Sequence, residues 1–321
     1  PTLFSWAKFI VTASLGVGLV LSCTVLPWWG ALVALPLASL SLTTAAMMGH
    51  EAAHGASCES ARANAWLEWL AFPLLSGLST RFWRHKHNRV HHGMPNVVGK
   101  DGDLEMWPLA IGAPFRAREG TGLDRFQRHL QGIALWPLSL LLSMGMRGKS
   151  FRFLAQQVVS GKRTSALALD IGLLAVHYTA WLVIPSFFVH PLYVVGTFAA
   201  VWGMVGGLLT AIFIVGHTGM PLVSDFDNRW VLQVVTSRNI RTGVLGQHFF
   251  VGLDHQIEHH LFPTIPHLRM PLAASIIRPF LEERGIPYAE AGWGSILVEV
   301  TGYMSRAWTD TPKALVAGHH G

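Results

Sequence analysis

Charge is what this sequence has least of. Only 13% of its 321 residues are Asp, Glu, Lys or Arg, about half the ~25% usual in soluble domains. Beside 51% apolar residues, that shortage argues against an ordinary soluble domain and for a chain solvated largely by lipid. Cysteine is nearly absent as well. Cys23 and Cys58 are the only two. They lie far apart in the expected topology and give neither a disulfide framework nor a thiolate metal site. The net charge is +6, but the basic residues are spread out and not clustered with aromatics, so a nucleic-acid partner is not expected. No internal repeat or low-complexity segment is visible. No small-residue cleavage site follows the first apolar run, so a cleaved signal peptide is not expected either.

Long apolar runs are what the sequence has instead. Four can cross about 30 Å of hydrocarbon, at about 7–28, 30–48, 166–189 and 191–215. Short turns around Trp29 and His190 pair them as two hairpins. Neither turn holds a Lys or Arg. Apart from Lys8, fifteen lie in 49–165 and eight in 217–321. The positive-inside rule therefore puts both termini and both large segments, 49–165 and 217–321, in the cytoplasm, with added attraction to anionic membrane lipid. Two shorter apolar stretches, 65–78 and 133–146, suit helices lying along the cytoplasmic surface better than crossings. Asp170, near the cytoplasmic end of the third span, is expected to reach water, with a functional intramembrane carboxylate as the alternative. The tail after Thr311 is expected to be disordered, with His319 and His320 as tail residues and not ligands. The fold class expected is all-α integral membrane. One domain, 1–321, would place four transmembrane helices in two hairpins under a cytoplasmic helical cap.

Histidine is in excess, with seventeen in the chain. In "GHEAAHG", His50 and His54 are four apart, on one helix face about 6 Å from each other. The same residues fit H-E-x-x-H, a zinc-protease motif with Glu51 as base. In "RHKHNRVHHG", His87, His91 and His92 form H-x-x-x-H-H. On an α-helix the first two share a face and the third lies about 100° round. His85 stands outside that pattern. In "GLDHQIEHHLFP", His259 and His260 close a third box. Gln256 stands where such a box usually opens on histidine, and His255 is one residue earlier. His217 sits where the fourth span leaves the membrane. Any one of these could be a surface histidine placed by chance, but the set of clusters beside membrane spans could not. His129, His177, His190, His248 and His267 lack that context and read as structural. One zinc takes about four ligands, whereas eight or nine imidazoles suit two metals with open positions. Imidazole binds iron and zinc alike, so count and placement, not ligand type, favour two irons.

The boxes, their order and their placement around two hairpins resemble the membrane fatty acid desaturase family, and within it the linoleoyl-CoA or front-end acyl desaturases. The resemblance rests on "GHEAAHG", on "WRHKHNRVHH" with "PNVVGKDGD", on "TSRNI" and on "GLDHQIEHHLFPTIP", and covers about residues 30–290. Gln256 in the third box is itself a front-end feature. The resemblance implies a histidine-rich di-iron site held by the cytoplasmic cap. Its ligands would be His50, His54, His87, His91, His92, His217, His259 and His260, with His255 or Gln256 as the ninth. Carboxylates holding the distal ring nitrogens would come from Glu51, Asp101, Asp103, Asp254 and Glu258. Salt bridges to Arg84, Arg89 and Arg241 are the plainer role for these acids.

The activity implied is O2-dependent introduction of a double bond into an acyl chain carried on CoA, a carrier protein or a lipid. No side chain can remove hydrogen from an unactivated methylene, so a metal must. No haem-binding segment of the fused cytochrome b5 kind is visible. Electrons are therefore expected from a separate ferredoxin or cytochrome b5 type donor. Similar boxes occur in hydroxylases, ketolases and alkane monooxygenases, so a di-iron hydroxylase of a fatty, alkane or isoprenoid substrate is the alternative. An intramembrane zinc protease and a non-catalytic metal-binding membrane protein stand behind it. The substrate headgroup or carrier is placed near Arg81, Arg84 and Lys86, which could equally anchor lipid phosphates.

Overall fold

In the computed structural model, which describes residues 2–315, the first two apolar runs form α1 (Thr2–Ser22) and α2 (Trp28–Ala53). The turn between them falls at 23–27, earlier than the sequence suggests. Pro27 sets it there: a proline is disfavoured inside a helix, and it sits as the N-cap of α2. Gly16 lets the two helices close. A Cβ there would stand 2.7 Å from Leu42 Cγ, the small-residue packing that helices in lipid rely on.

The remaining helices are α3 (Ala61–Trp69), α4 (Thr80–Trp83), α5 (Gly122–His129), α6 (Gln131–Ser139), α7 (Leu142–Val159), α8 (Ser165–Tyr178), α9 (Pro191–His217), α10 (Arg229–Val235), α11 (Gly243–Phe250), α12 (Gln256–Leu261), α13 (Met270–Glu282) and α14 (Trp293–Met304). Four short strands join them: β1 (Val223–Phe226), β2 (Asn239–Arg241), β3 (Glu290–Gly292) and β4 (Lys313–Leu315). Among the described residues, four helices are long and apolar enough to cross a membrane: α1, α2, α8 with its continuation to Phe187, and α9. They coincide with the four expected spans apart from shifts at their ends. Outward side chains such as Val11, Leu32 and Val195 are apolar and more than half exposed, as lipid-facing residues should be. The fold is that of an all-α integral membrane protein.

The described residues form two compact units, one from 2–85 and 139–209, the other from 86–138 and 210–315. Neither short apolar stretch makes a continuous helix of spanning length. Residues 65–78 pass from α3 into a π-helical turn, Leu70–Ser76, and stop at Gly77 in the left-handed region. Residues 133–146 are divided between α6 and α7. Asp170 does not reach water. It is fully buried; its carboxylate accepts Ser79 Oγ at 2.6 Å, Arg81 N at 3.1 Å and Thr80 N at 3.2 Å. It thus caps the start of α4, where orphan N–H groups need an acceptor. His177, buried, meets the Leu74 carbonyl at 3.0 Å, a structural role as expected.

In the second unit, β2 and β3 pair in parallel, as do β1 and β4. The β4 pairing corrects the expectation for the tail: Lys313–Leu315 is held in register with Val223–Phe226. Leu315 packs against buried Val97, Val223 and Leu232, which gives the segment an apolar reason to order. His319 and His320 lie outside the described residues. Arg238, buried, clasps the end of α9. Its Nε donates to the Val215 carbonyl at 2.7 Å, Nη2 to that of Thr218 at 2.6 Å, and Nη1 to Glu299. Late carbonyls of a helix need such donors, and the clasp fixes where His217 stands.

Candidate metal centre

The second box is not α-helical. α4 continues as a π-helix over Arg84–His91, and the His92 N–H donates to the His87 carbonyl at 3.0 Å. The expected fan, with His92 about 100° away from its partners, is corrected by this i→i+5 step. His87 and His92 now meet, with Nε2 atoms 3.2 Å apart. That spacing also suits two nitrogens about 2.1 Å from one ion. π-turns of this kind are frequent at functional sites. Past the box the chain must turn tightly: a Cβ on Gly93 would lie 2.5 Å from the Arg89 carbonyl oxygen.

Within the second unit, three histidines from different elements converge. His91 closes the π-helix, His217 ends α9, and His260 lies in α12. One ring nitrogen from each lies within 4.8 Å of the others. The opposite nitrogens are already engaged. His91 Nδ1 is 3.0 Å from Asp101 Oδ2, His217 Nδ1 is 2.9 Å from the Thr236 carbonyl, and His260 Nδ1 is 2.8 Å from Gln233 Oε1. Each of those acceptors requires a proton on Nδ1, which leaves the lone pair on Nε2. An Nε2 lone pair on each of three neighbouring rings is the donor set of a metal site whose ligands are fixed from behind, with that of His217 accepting the Gln256 amide N–H at 2.8 Å in this structure. His92 stacks on His260 at 4.3 Å between ring centroids, and His259 meets His92 at 4.8 Å. Six imidazoles therefore stand in one cluster in this unit.

The carboxylates divide by role. Asp101 is buried and accepts from His91, from Asn96 N at 3.0 Å and from Asp103 N at 3.0 Å. Burial alone would raise its pKa, but His91 and the Asn96 N–H together hold it below the ordinary carboxylate range. It stays an acceptor. Asp103 pairs with Lys86 and lies 3.4 Å from His91 Nδ1. Glu258 faces away from the three-histidine group: it accepts from Asn239 Nδ2 at 2.7 Å and Tyr288 OH at 2.8 Å. Burial first, and then Glu258 itself, push the Tyr288 hydroxyl upward in pKa, so it remains a donor. Asn239 Oδ1 also accepts the Ile257 N–H at 2.9 Å. This network fixes α12 and with it His259 and His260.

His255 and Gln256 part company. His255 pairs with Asp254 at 3.4 Å and lines a cavity of about 370 Å³ with Arg241, Arg278 and Tyr288. Burial lowers its pKa, but Asp254 more than offsets this, so the net shift is upward. Gln256 enters the histidine group, its amide nitrogen 2.8 Å from His217 Nε2. Gly216 makes that approach possible, since a Cβ there would stand 2.9 Å from Gln256 Cγ.

In the first unit, His50 and His54 sit at the end of α2 with ring centroids 5.0 Å apart, and His50 meets the Trp83 ring at 5.9 Å. Glu51 is buried and accepts from Ser57 Oγ at 2.7 Å. His85 stacks on Phe153 at 5.3 Å, outside the imidazole cluster. Arg84 is held by both oxygens of Glu68, with Nε 2.9 Å from each. Arg81 gives its backbone N–H to Asp170. With Lys86 on Asp103, two of the three basic residues placed at the substrate headgroup, Arg84 and Lys86, have their charged groups paired inside the protein.

Sequence reasoning missed Gln233, Asn96 and Tyr288, which lie outside every box. Asn239 falls within "TSRNI", but its role as a clasp for α12 does not follow from those letters. No signal in the sequence marks Gln233.

A family model described as fatty acid desaturase matches residues 26–292. The Delta(5) fatty acid desaturase fat-4 of Caenorhabditis elegans is 29% identical over 255 residues, which cover 74% of this chain and 55% of that protein. The acyl-lipid (9-3)-desaturase of Physcomitrium patens is 27% identical over 253 residues, covering 76% and 47%. The sn-1 linoleoyl-lipid 6-desaturase of Synechocystis sp. is 29% identical over 273 residues, covering 80% and 73%. The chain spans about half the length of the first two relatives.

Proposed function

The chain belongs to the fatty acid desaturase family, and from that premise we propose that it introduces a carbon–carbon double bond into a membrane-associated acyl chain. The overall reaction would consume O2, two electrons and two protons and release two waters. The observation that carries the reading is the three-histidine group. The Nδ1 atoms of His91, His217 and His260 are committed to Asp101, the Thr236 carbonyl and Gln233, which leaves the lone pair of each ring on Nε2. These donors fit a divalent first-row metal. The ligand set proposed is His50, His54, His87, His91, His92, His217, His259 and His260, with Gln256 or His255 as the ninth; Gln256 stands beside His217, whose Nε2 accepts its amide N–H. Bound iron would supply O2 activation and hydrogen abstraction, which no side chain here can perform.

The protein's own part is positioning. Asp101 and Gln233 hold two rings in one tautomer and orientation, which raises ligand basicity and lowers reorganisation. Glu258, Asn239 and Tyr288 keep α12 from shifting. The deep burial of His87, His91, His92, His259 and His260 keeps bulk water away from the reacting carbon. The family match crosses both compact units, which supports one functional domain. The absence of Lys and Arg from both hairpin turns supports cytoplasmic termini and a cytoplasmic site. The electron donor would be of ferredoxin or cytochrome b5 type. Desaturase relatives favour the double bond over hydroxylation.

The test is expression with a reductase system, followed by mass spectrometry of total lipids and free acids, with His91→Ala as control. Products lighter by two hydrogens in the wild type alone are expected. Products heavier by one oxygen would overturn desaturation in favour of hydroxylation. Equal products with His91→Ala would remove the metal centre from the reaction.

A further inference from the structure

One helix of the second unit has a face that its packing does not explain. α13 follows the third box. Its inward residues Ala273, Ile277 and Leu281 pack with Val234 and with Ile257 of α12. Its outer side carries Leu272, Ile276 and Phe280, exposed by 63%, 66% and 52%. Leu268, in the turn before it, is also more than half exposed. Residues four apart advance about 40° round a helix, so these side chains form one oblique apolar band. The rest of the outer surface is different. Ser275, Arg278 and Glu282 are exposed there, and Glu282 lies about 120° from Ile276. The helix thus has a core strip, an apolar strip and a polar strip, which is the pattern of a helix lying in a membrane interface. A scatter of single exposed apolar residues would need no explanation, but a continuous band does.

Charge and continuity indicate what covers the band. Arg269 is exposed and has no ion pair among the described residues. The Arg284 guanidinium lies 3.6 Å over the Phe280 ring and 3.7 Å from a carboxylate oxygen of exposed Glu283, so a cation with one solvent-exposed partner stands at the edge of the apolar strip. In the same unit, Trp293 Nε1 donates to the Ala211 carbonyl of the spanning helix α9 at 3.1 Å, and its ring meets Phe250 of α11 at 5.3 Å. α11 in turn exposes Val244 and Leu245 almost fully. α11 and α13 line one cavity through Gly243, Gln247, Ser275 and Arg278. An unbroken set of contacts therefore runs from the span to α13.

We propose that the Leu272–Ile276–Phe280 band is seated in the headgroup–acyl boundary of the chain's own bilayer, with phosphates of anionic phospholipids on Arg269 and Arg284. α12 stands on the inner face of that helix through Ile257, so the seating also fixes the depth of His259 and His260 relative to the lipid.

The experiment uses the full chain reconstituted in phosphatidylcholine–phosphatidylglycerol vesicles. Cys23 and Cys58 are buried, so a thiol-reactive fluorophore reports on an introduced cysteine. Labels go on Ile276→Cys and, separately, on Glu282→Cys, with Leu272→Cys as a second reporter should the first fail to fold. The expected result is strong loss of emission at 276 and 272 with brominated lipid and protection from aqueous iodide, with the reverse at 282. Replacing phosphatidylglycerol by phosphatidylcholine should weaken the lipid quenching at 276. Equal access of iodide to 276 and 282 would overturn the proposal. So would shielding of 276 that grows with protein-to-lipid ratio and not with lipid bromination, which would identify a second copy of the chain as the occupant.

Discussion

Gln233 Oε1 stands 2.8 Å from His260 Nδ1, while the other end of the same amide donates to the His92 carbonyl at 3.0 Å. One neutral side chain from α10 therefore ties the second histidine box to the third. It also makes the three pinned imidazoles unequal: His91 faces a carboxylate, His260 an amide and His217 a backbone carbonyl.

Gln233→Leu removes both bonds and leaves two buried polar groups without this partner. Metal affinity should fall about 10–100-fold, measured by competition with a chelator on purified protein. Gln233→Glu keeps an acceptor for His260 and should lose less, although its carboxylate opposes the His92 carbonyl. Equal retention of metal by wild type and the leucine variant would remove Gln233 from the centre.

Asp101→Asn puts an amide where His91 Nδ1–H, Asn96 N–H and Asp103 N–H all seek acceptors. One amide oxygen cannot serve all three. Metal affinity should again fall about 10–100-fold, with the far-ultraviolet dichroism unchanged. Unfolding of the variant, with no separable loss of metal, would mean that Asp101 serves the turn at 96–103 and not the ring of His91.

Asp170→Ala removes the acceptor of the Thr80 and Arg81 N–H groups at the start of α4 and of the Ser79 hydroxyl, which keeps only the Phe82 N–H as a partner. The cost should be about 3 kcal/mol, read as a lower thermal midpoint in detergent. Asp170→Asn keeps an acceptor and should cost less. Because α4 runs directly into the π-helix that carries His87 and His91, metal loss should accompany the alanine variant.

Glu68 is fully buried, and burial pushes its carboxyl up to about 7 from 4.5, with Arg84 pulling it back only in part. The folded protein then holds this proton more tightly than the unfolded chain. Stability from this group is complete below pH 4.5 and is lost as pH rises through 7, by about 3 kcal/mol at most. Glu68→Gln should flatten that component of a thermal-midpoint profile measured across the window. An unchanged profile would show that Arg84 keeps Glu68 ionised throughout.

The spans were readable because lipid imposes a long uninterrupted apolar run, which no packing detail can disguise. Box spacing was readable for a related reason: ligands on one element must recur at a helical period. The π-helix at Arg84–His91 was not readable. An i→i+5 turn is chosen by its surroundings, here the buried cap at Asp170 on one side and the tight turn at Gly93 on the other. Asp170 itself looked like a residue near water, and only the folding of Ser79–Arg81 onto it shows otherwise. The tail looked disordered because three residues, Lys313–Leu315, carry no strand signal of their own. They order by pairing with β1, a partner about ninety residues earlier.

Taken alone, the sequence determined the membrane class, the four spans and which histidines carry metal-ligand spacing, because each is a local periodicity or composition. The tertiary structure decided which ring nitrogen of His91, His217 and His260 keeps its lone pair. It also decided that Gln256 and not His255 joins their group, and that Gln233 and Asn239 belong beside it. Those outcomes depend on hydrogen-bond partners brought from distant segments to within 3 Å of a ring or a backbone N–H, and no spacing along the chain encodes such a contact.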